Sequence, residues 1–174
     1  MSQPKRLFLL RHAKSSWDHP GVADHDRPLA RRGRRAAELI AHHLQSEGIS
    51  PSLVLCSSAR RTRETLELAG PGGEARIERE LYGASKEDLL DRLRQVPDTV
   101  ESVMLIGHNP AVQEVALDLA AGGEGLAQVE RKYPTGGLAT LTFAGPWGEL
   151  RSGRAELEGF VTPKELERAT ARPT

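Results

Sequence analysis

The sequence is poor in several things, and each shortage excludes a class of protein. It has one cysteine, Cys56, so no disulfide can form within the chain and no thiolate cluster can hold a metal. A single thiol suits a reducing cytoplasm, where the protein is expected. Aromatic residues make up 4% of the 174 residues, so any core must be built from Leu, Val, Ile and Ala. The formal net charge is zero, with 24 basic and 24 acidic residues, which argues against a broad nucleic-acid-binding face. The first apolar run, Leu7 to Leu10, is too short for a secretion signal or a membrane span, and no membrane partner is expected. No Gly-rich phosphate loop, no metal-ligand spacing and no internal repeat is visible, so neither metal nor cofactor is expected.

What is present alternates between strand and helix signals. Lys5 to Leu10 is an apolar run suited to a buried strand. A connector from Ala13 to Leu29 follows, long enough to suggest a functional loop. Ala36, Ala37, Ile40 and Leu44 recur at helical spacing within a helix predicted over 30–45, behind Arg31, Arg32, Arg34 and Arg35. Strands are predicted over 52–56, 76–80, 102–106, 138–143 and 154–160. Helices are predicted over 60–69, from Ser85 onward, and from Pro110 to about Ala121. Asn109 is expected as the N-cap of that last helix, with Pro110 as its first residue. Ser85 with Asp88, and Thr162 with Glu165, have capping-box spacing. The pattern predicts an α/β three-layer sandwich: a mainly parallel, mixed central sheet with helices on both faces. One domain over 1–168 is expected, with 169–174 as a flexible tail.

In such sheets ligands bind beyond the carboxyl ends of the strands. Three polar segments fall there: Arg11-His12, Ser57 to Thr65, and Gly107-His108-Asn109. A neutral imidazole is a competent nucleophile toward phosphorus. Arginine offers a planar fork of donors that matches phosphate oxygens. Arg61, on the first turn of a helix, adds to the free N–H groups there. His108 is placed to stabilise the equatorial oxygens as charge moves in the transition state. His12, His108, Arg11 and Arg61 are therefore the candidate catalytic residues, and Arg11, Arg61 and Ser15 the candidate substrate-binding residues. Each segment alone has a plain structural reading as a helix cap or a solvated charged face; their coincidence on one edge is what points to chemistry. His42 and His43 are adjacent on a helix and point apart. His19 and His25 sit in the long loop, where they could line the site, but they are taken as surface residues as the plainer reading. Trp17 and Asp26 are candidates for the rim of the site, although Trp17 could equally pin the loop to the core. Cys56 is expected to be an inert core thiol.

The motifs LFLLRHAKSSWD, SSARRTRETLE and LIGHNP together resemble the histidine phosphatase superfamily, which shares the phosphoglycerate-mutase-like fold. With DHDRPLARRGRRAA, they look most similar to the SixA-type phosphohistidine phosphatases. The resemblance covers roughly 5–160. It implies that His12 becomes phosphorylated, that Arg11 lies beside it, and that His108 is the second catalytic histidine. Ser57, Arg61 and Thr65 match the spacing of the family's second motif, which selects Arg61 over Arg60. Many relatives that cleave phosphate esters use a carboxylic acid to protonate the leaving oxygen. Glu80, in ERELYGAS with Glu78, is the candidate acid, but its spacing to Tyr82 does not match the mutase branch. The resemblance thus implies a phosphatase with a phosphohistidine intermediate, acting on protein phosphohistidine. A phosphatase of small esters, such as sugar or nucleotide phosphates, is the alternative, and a non-catalytic phosphate-binding regulatory domain the third reading. The implied partner is a phosphorylated protein or a small phosphorylated metabolite.

Overall fold

The computed structural model describes residues 3–172. Its centre is a seven-stranded mixed sheet in the order β3-β2-β4-β1-β6-β7-β5. The strands are β1 (Lys5–Arg11), β2 (Leu53–Ser57), β3 (Glu74–Glu78), β4 (Ser102–Gly107), β5 (Ala120–Gly123), β6 (Leu138–Phe143) and β7 (Ala155–Val161). The helices are α1 (Arg31–Ser46), α2 (Arg60–Ala69), α3 (Lys86–Arg94), α4 (Ala111–Leu119), α5 (Leu126–Arg131) and α6 (Pro163–Ala171). β1, β2, β3 and β4 run parallel, whereas β6 is antiparallel to both β1 and β7. This is the expected three-layer sandwich.

The apolar runs of the central strands are continuous because both faces are covered. Leu7 and Leu9 of β1 pack into one core with residues of α3 and α4, including Leu93, Val112 and Val115. Phe8 and Leu10 pack into the opposite core with Ile40 and Leu44 of α1 and Ala69 of α2. The alternation follows from the two-residue period of a strand.

Several boundaries differ from expectation. β3 lies at 74–78 rather than 76–80, in parallel register with β2 from Leu53 opposite Glu74 to Ser57 opposite Glu78. It is an edge strand and mostly exposed, so its side chains carry no apolar alternation to locate it. β5 and α5 were not foreseen, because Gly122-Gly123 reads as a stop. Gly123 instead lets β5 approach β7: a Cβ there would fall 2.0 Å from the Leu157 carbonyl oxygen. Ser85 and Asp88 form both halves of a capping box, whereas the Thr162 hydroxyl accepts from the Glu165 N–H and donates to Glu165 Oε1, and the Glu165 side chain does not reach back to the Thr162 N–H. α6 runs past Arg168 to Ala171, into the expected tail; 173–174 lie outside the described residues.

The order β2-β4-β1 places three parallel strands side by side, so their carboxyl ends share one edge. Arg11 sits opposite Gly107 in register, which sets His12 and His108 next to each other.

Candidate active site

His12 follows β1 and is 7% exposed. Its Nδ1 lies 2.7 Å from the Ala13 carbonyl oxygen. A carbonyl only accepts, so Nδ1 carries the proton and donates, leaving the lone pair on Nε2. Burial, with His108, Arg61 and Arg11 nearby, lowers the His12 pKa to about 3, so the ring is neutral at neutral pH. Thr65 ties the next residue down: its Oγ1 accepts from the Ala13 N–H at 3.0 Å. α1 presses on the same segment through Gly33, where a Cβ would fall 2.0 Å from the Lys14 carbonyl oxygen.

His108 follows β4, its ring centroid 5.3 Å from that of His12. Arg61 Nη2 lies 3.4 Å from His108 Nδ1, and a guanidinium only donates. The His108 proton therefore sits on Nε2 and is directed at Ser57 Oγ, 2.8 Å away. Burial and the Arg61 charge lower the His108 pKa to about 4.

Arg11 donates from Nη1 to the Tyr133 carbonyl at 2.9 Å, and Arg61 from Nη1 to the Asp24 carbonyl at 2.8 Å. The Nε atoms of both guanidiniums are buried and lack a hydrogen-bond partner. Burial and, after it, the Arg61 charge lower the Arg11 pKa, and two neighbouring cations with donors to spare make an environment that favours an incoming anion. The structure thus brings His12, His108, Arg11 and Arg61 together from three strand ends.

The other two candidates lie differently. Ser15 is buried, but its hydroxyl accepts from Arg27 Nη1 at 2.9 Å and serves the loop. Glu80 is exposed in the turn Arg79–Leu81, and among the described residues it has no hydrogen bond or ion pair to the cluster. Its neighbour Glu78 is held by Arg92 through two bonds of 2.7 and 2.9 Å. Cys56 is fully buried, and burial pushes its thiol up to about 12, as suits a core residue.

Sequence reasoning missed a polar group that closes over Arg61. Asp24 Oδ2 accepts from Arg61 Nη2 at 3.1 Å and from the Tyr82 hydroxyl at 2.7 Å, and its Oδ1 accepts from Arg27 Nε at 3.2 Å. These donors hold the Asp24 carboxyl at about 2, so it is ionised. The Tyr82 ring packs edge-on against both His108 and His25. His25, taken as a surface residue, is half-buried at this border, its Nε2 2.9 Å from Ser58 Oγ. Asn109 is not an N-cap: Pro110 holds that position and α4 starts at Ala111. Asn109 Nδ2 donates instead to the Tyr133 carbonyl that also anchors Arg11. Trp17 is 72% exposed and lies under the Arg27 guanidinium, 3.5 Å from ring centroid to Cζ, so it does not pin the loop to the core. The run DHDRP carried the only advance signal, as charged residues in a long loop.

The model of the histidine phosphatase superfamily (branch 1) matches 7–82. A Mycobacterium tuberculosis protein of uncharacterized function is 40% identical over 159 residues, which span 89% of this chain and 100% of its own. The chain belongs to the histidine phosphatase superfamily. Among solved structures, SixA of Nakamurella multipartitia is 30% identical with a TM-score of 0.82, covering 93% of this chain and 98% of that one. SixA of Agrobacterium tumefaciens is 34% identical with a TM-score of 0.77, covering 92% and 100%. This histidine phosphatase therefore falls in the SixA-type branch, with the phosphoglycerate-mutase-like fold, and is a hydrolase that works through a histidine nucleophile. Among the described residues, no helix is long and apolar enough to cross a membrane.

Proposed function

We propose that the protein removes the phosphoryl group from phosphohistidine carried on another protein, with His12 as the nucleophile. His12 Nε2 attacks phosphorus in line; the bond from phosphorus to the substrate nitrogen breaks, its electron pair staying on an imidazole already protonated at its other nitrogen, which leaves neutral, and the phosphoryl group rests on His12. Water then attacks that phosphorus, the bond to His12 breaks, and phosphate leaves. Arg11 and Arg61 bind the phosphoryl oxygens, and His108 acts beside them as charge shifts.

The observation that carries the substrate class is the state of the acids. Among the described residues, Asp24 is the carboxylate hydrogen-bonded to the cluster, and it is held ionised at about 2. Glu80 is exposed and unconnected to it. A site without a protonated acid suits a phosphoramidate, whose imidazole leaves more readily than an alkoxide. The SixA relatives, named provisionally as phosphohistidine phosphatases, agree with this reading. A small phosphate ester would call for the proton donor that Glu80 is not placed to be.

A panel of phosphohistidine peptides, alkyl phosphates and aryl phosphates tests the reading. Phosphohistidine peptides should give the highest kcat/KM, and rapid quench should trap phosphate on His12. Faster turnover of an alkyl ester than of every phosphohistidine peptide would sink the substrate assignment.

A further inference from the structure

A basic groove lies beside the catalytic cluster. A groove of about 1060 Å³ runs between α1, α5 and α6, lined by Lys14, Arg32, Arg35, Arg131, Lys132 and Lys164. Only two carboxylates line it, Glu38 and Glu167. The chain has no net charge, so this is a strong local excess. Among the described residues none of these six cations is in an ion pair, and all but the half-buried Lys14 are exposed.

The excess works against the local fold. The first turn of α1 holds no acidic residue, and Ala30 gives it no side-chain cap. Arg32, in that turn, opposes the helix dipole, and Arg35 lies just beyond it where no dipole gain is available, so neither is explained by helix stability.

The groove is tied to the catalytic cluster through neighbouring residues. Leu10 of β1 pairs with Leu138 and Leu138 with Val161, so the end of β1, the start of β6 and the end of β7 lie on one edge. α6 begins at that edge, at Pro163. Lys14 stands two residues after His12, and its carbonyl accepts the Ala30 N–H ahead of α1 at 2.9 Å. Pro134, also lining the groove, follows the Tyr133 whose carbonyl anchors Arg11. The Gly136 N–H bonds the carbonyls of both Arg11 and His12, at 3.0 Å each.

We propose that this groove docks an acidic segment of the phosphorylated protein whose phosphohistidine is presented to His12. The proposal rests on the protein-phosphohistidine reading above and names the chemistry of the partner. The groove's volume lies just above the range for small-molecule pockets, roughly 300–1,000 Å³, and suits an extended chain better than a second phosphate. None of its lining residues is aromatic, so it offers no platform for stacked bases. Leu39 and Pro134 supply apolar contacts, and Glu38 and Glu167 can accept peptide N–H groups, donors that a phosphate backbone lacks.

The test uses the full chain and the variants R32E/R35E and R131E/K164E, which lie on different helices. A labelled, unphosphorylated Asp/Ser peptide is titrated by fluorescence anisotropy at low and high salt. Phosphohistidine peptides with acidic or neutral flanks, and the small substrate phosphoramidate, are then turned over. Wild type should bind the acidic peptide in a salt-sensitive way, and each variant should weaken that binding about tenfold. The KM for the acidic-flanked substrate should rise by a similar factor with kcat unchanged, while turnover of phosphoramidate stays the same. R32E/R35E should not lower Tm, since Arg32→Glu places an acidic residue in the first turn of α1. The proposal is overturned if wild type ignores the acidic peptide, if both variants bind it as wild type does, if a single-stranded RNA of equal charge binds more tightly, or if phosphoramidate turnover falls in parallel. If no phosphohistidine peptide is turned over, the substrate reading fails, and the binding titration alone decides the groove.

Discussion

The residues around His12 and those from Glu74 to Tyr82 border the same cluster and are built on opposite terms. His12 is buried, its Nδ1 proton is committed to the Ala13 carbonyl, and Thr65 and Gly33 fix the backbone just after it. β3 is an exposed edge strand, Glu78 is clamped to Arg92, and Glu80 points to no partner in the site. Only Tyr82, at the far end of that stretch, reaches the cluster, through Asp24 and the His108 ring. The attacking side is over-determined and the other side is left open. A buried, neutral, tautomer-fixed imidazole keeps its lone pair directed, and an open border imposes little on the size of what leaves.

The contrast can be broken most directly at His12. His12→Ala should lower kcat on any substrate by about 10⁴-fold or more and abolish the trapped phosphoenzyme, as read by stopped assays and rapid quench. Arg61→Ala and His108→Ala should each cost roughly 10²- to 10³-fold in kcat/KM, measured on the same substrates, because each removes a donor near the transferred group. Asp24→Asn should act in the other direction on ligand binding. With no competing carboxylate on Arg61, inorganic phosphate should inhibit about tenfold more tightly, which product-inhibition kinetics will show.

The same contrast sets a dependence on pH. His12 and His108 have folded pKa values of about 3 and 4, below their ordinary 6.5. Between those limits the unfolded chain takes up protons that the folded chain refuses, so stability should fall as pH falls. Each histidine contributes up to about 1.4 kcal/mol per pH unit in that window. Urea unfolding between about pH 6 and 5, below the ordinary histidine pKa and above most carboxylates, should show the slope, and His12→Asn should reduce it. The smallest effect is expected on the open side: Glu80→Gln should change kcat/KM on phosphohistidine peptides by less than about twofold. A larger loss, steepest for poor leaving groups, would assign Glu80 the proton donation denied to it here.

Much of the site was legible because its parts sit at strand ends. Buried parallel strands such as β1, β2 and β4 are unbroken apolar runs, so the polar residue that ends each run stands out: Arg11, Ser57, then His108 after Gly107. The exposed β3 was misplaced by two residues, because a solvated edge has no burial pattern to read. β5 and α5 were missed because two glycines look like a stop when the strand they approach is unknown. Asn109 looked like a cap because its residue type and the following proline fit one, while its actual partner, the Tyr133 carbonyl, is 24 positions away.

The sequence by itself determined the layering, the two histidines and the two arginines, because each is encoded in a short local pattern. Only the tertiary structure decided which loop residues join them. Asp24 meets Arg61 across 37 positions and Tyr82 across 58, contacts set by the order of strands in the sheet rather than by any periodicity along the chain. The same holds for protonation and for the basic groove. A pKa is lowered by burial and by charges brought close in space, and Lys14, Arg131 and Lys164 face one hollow only once three separate helices and strand ends have been packed at one edge.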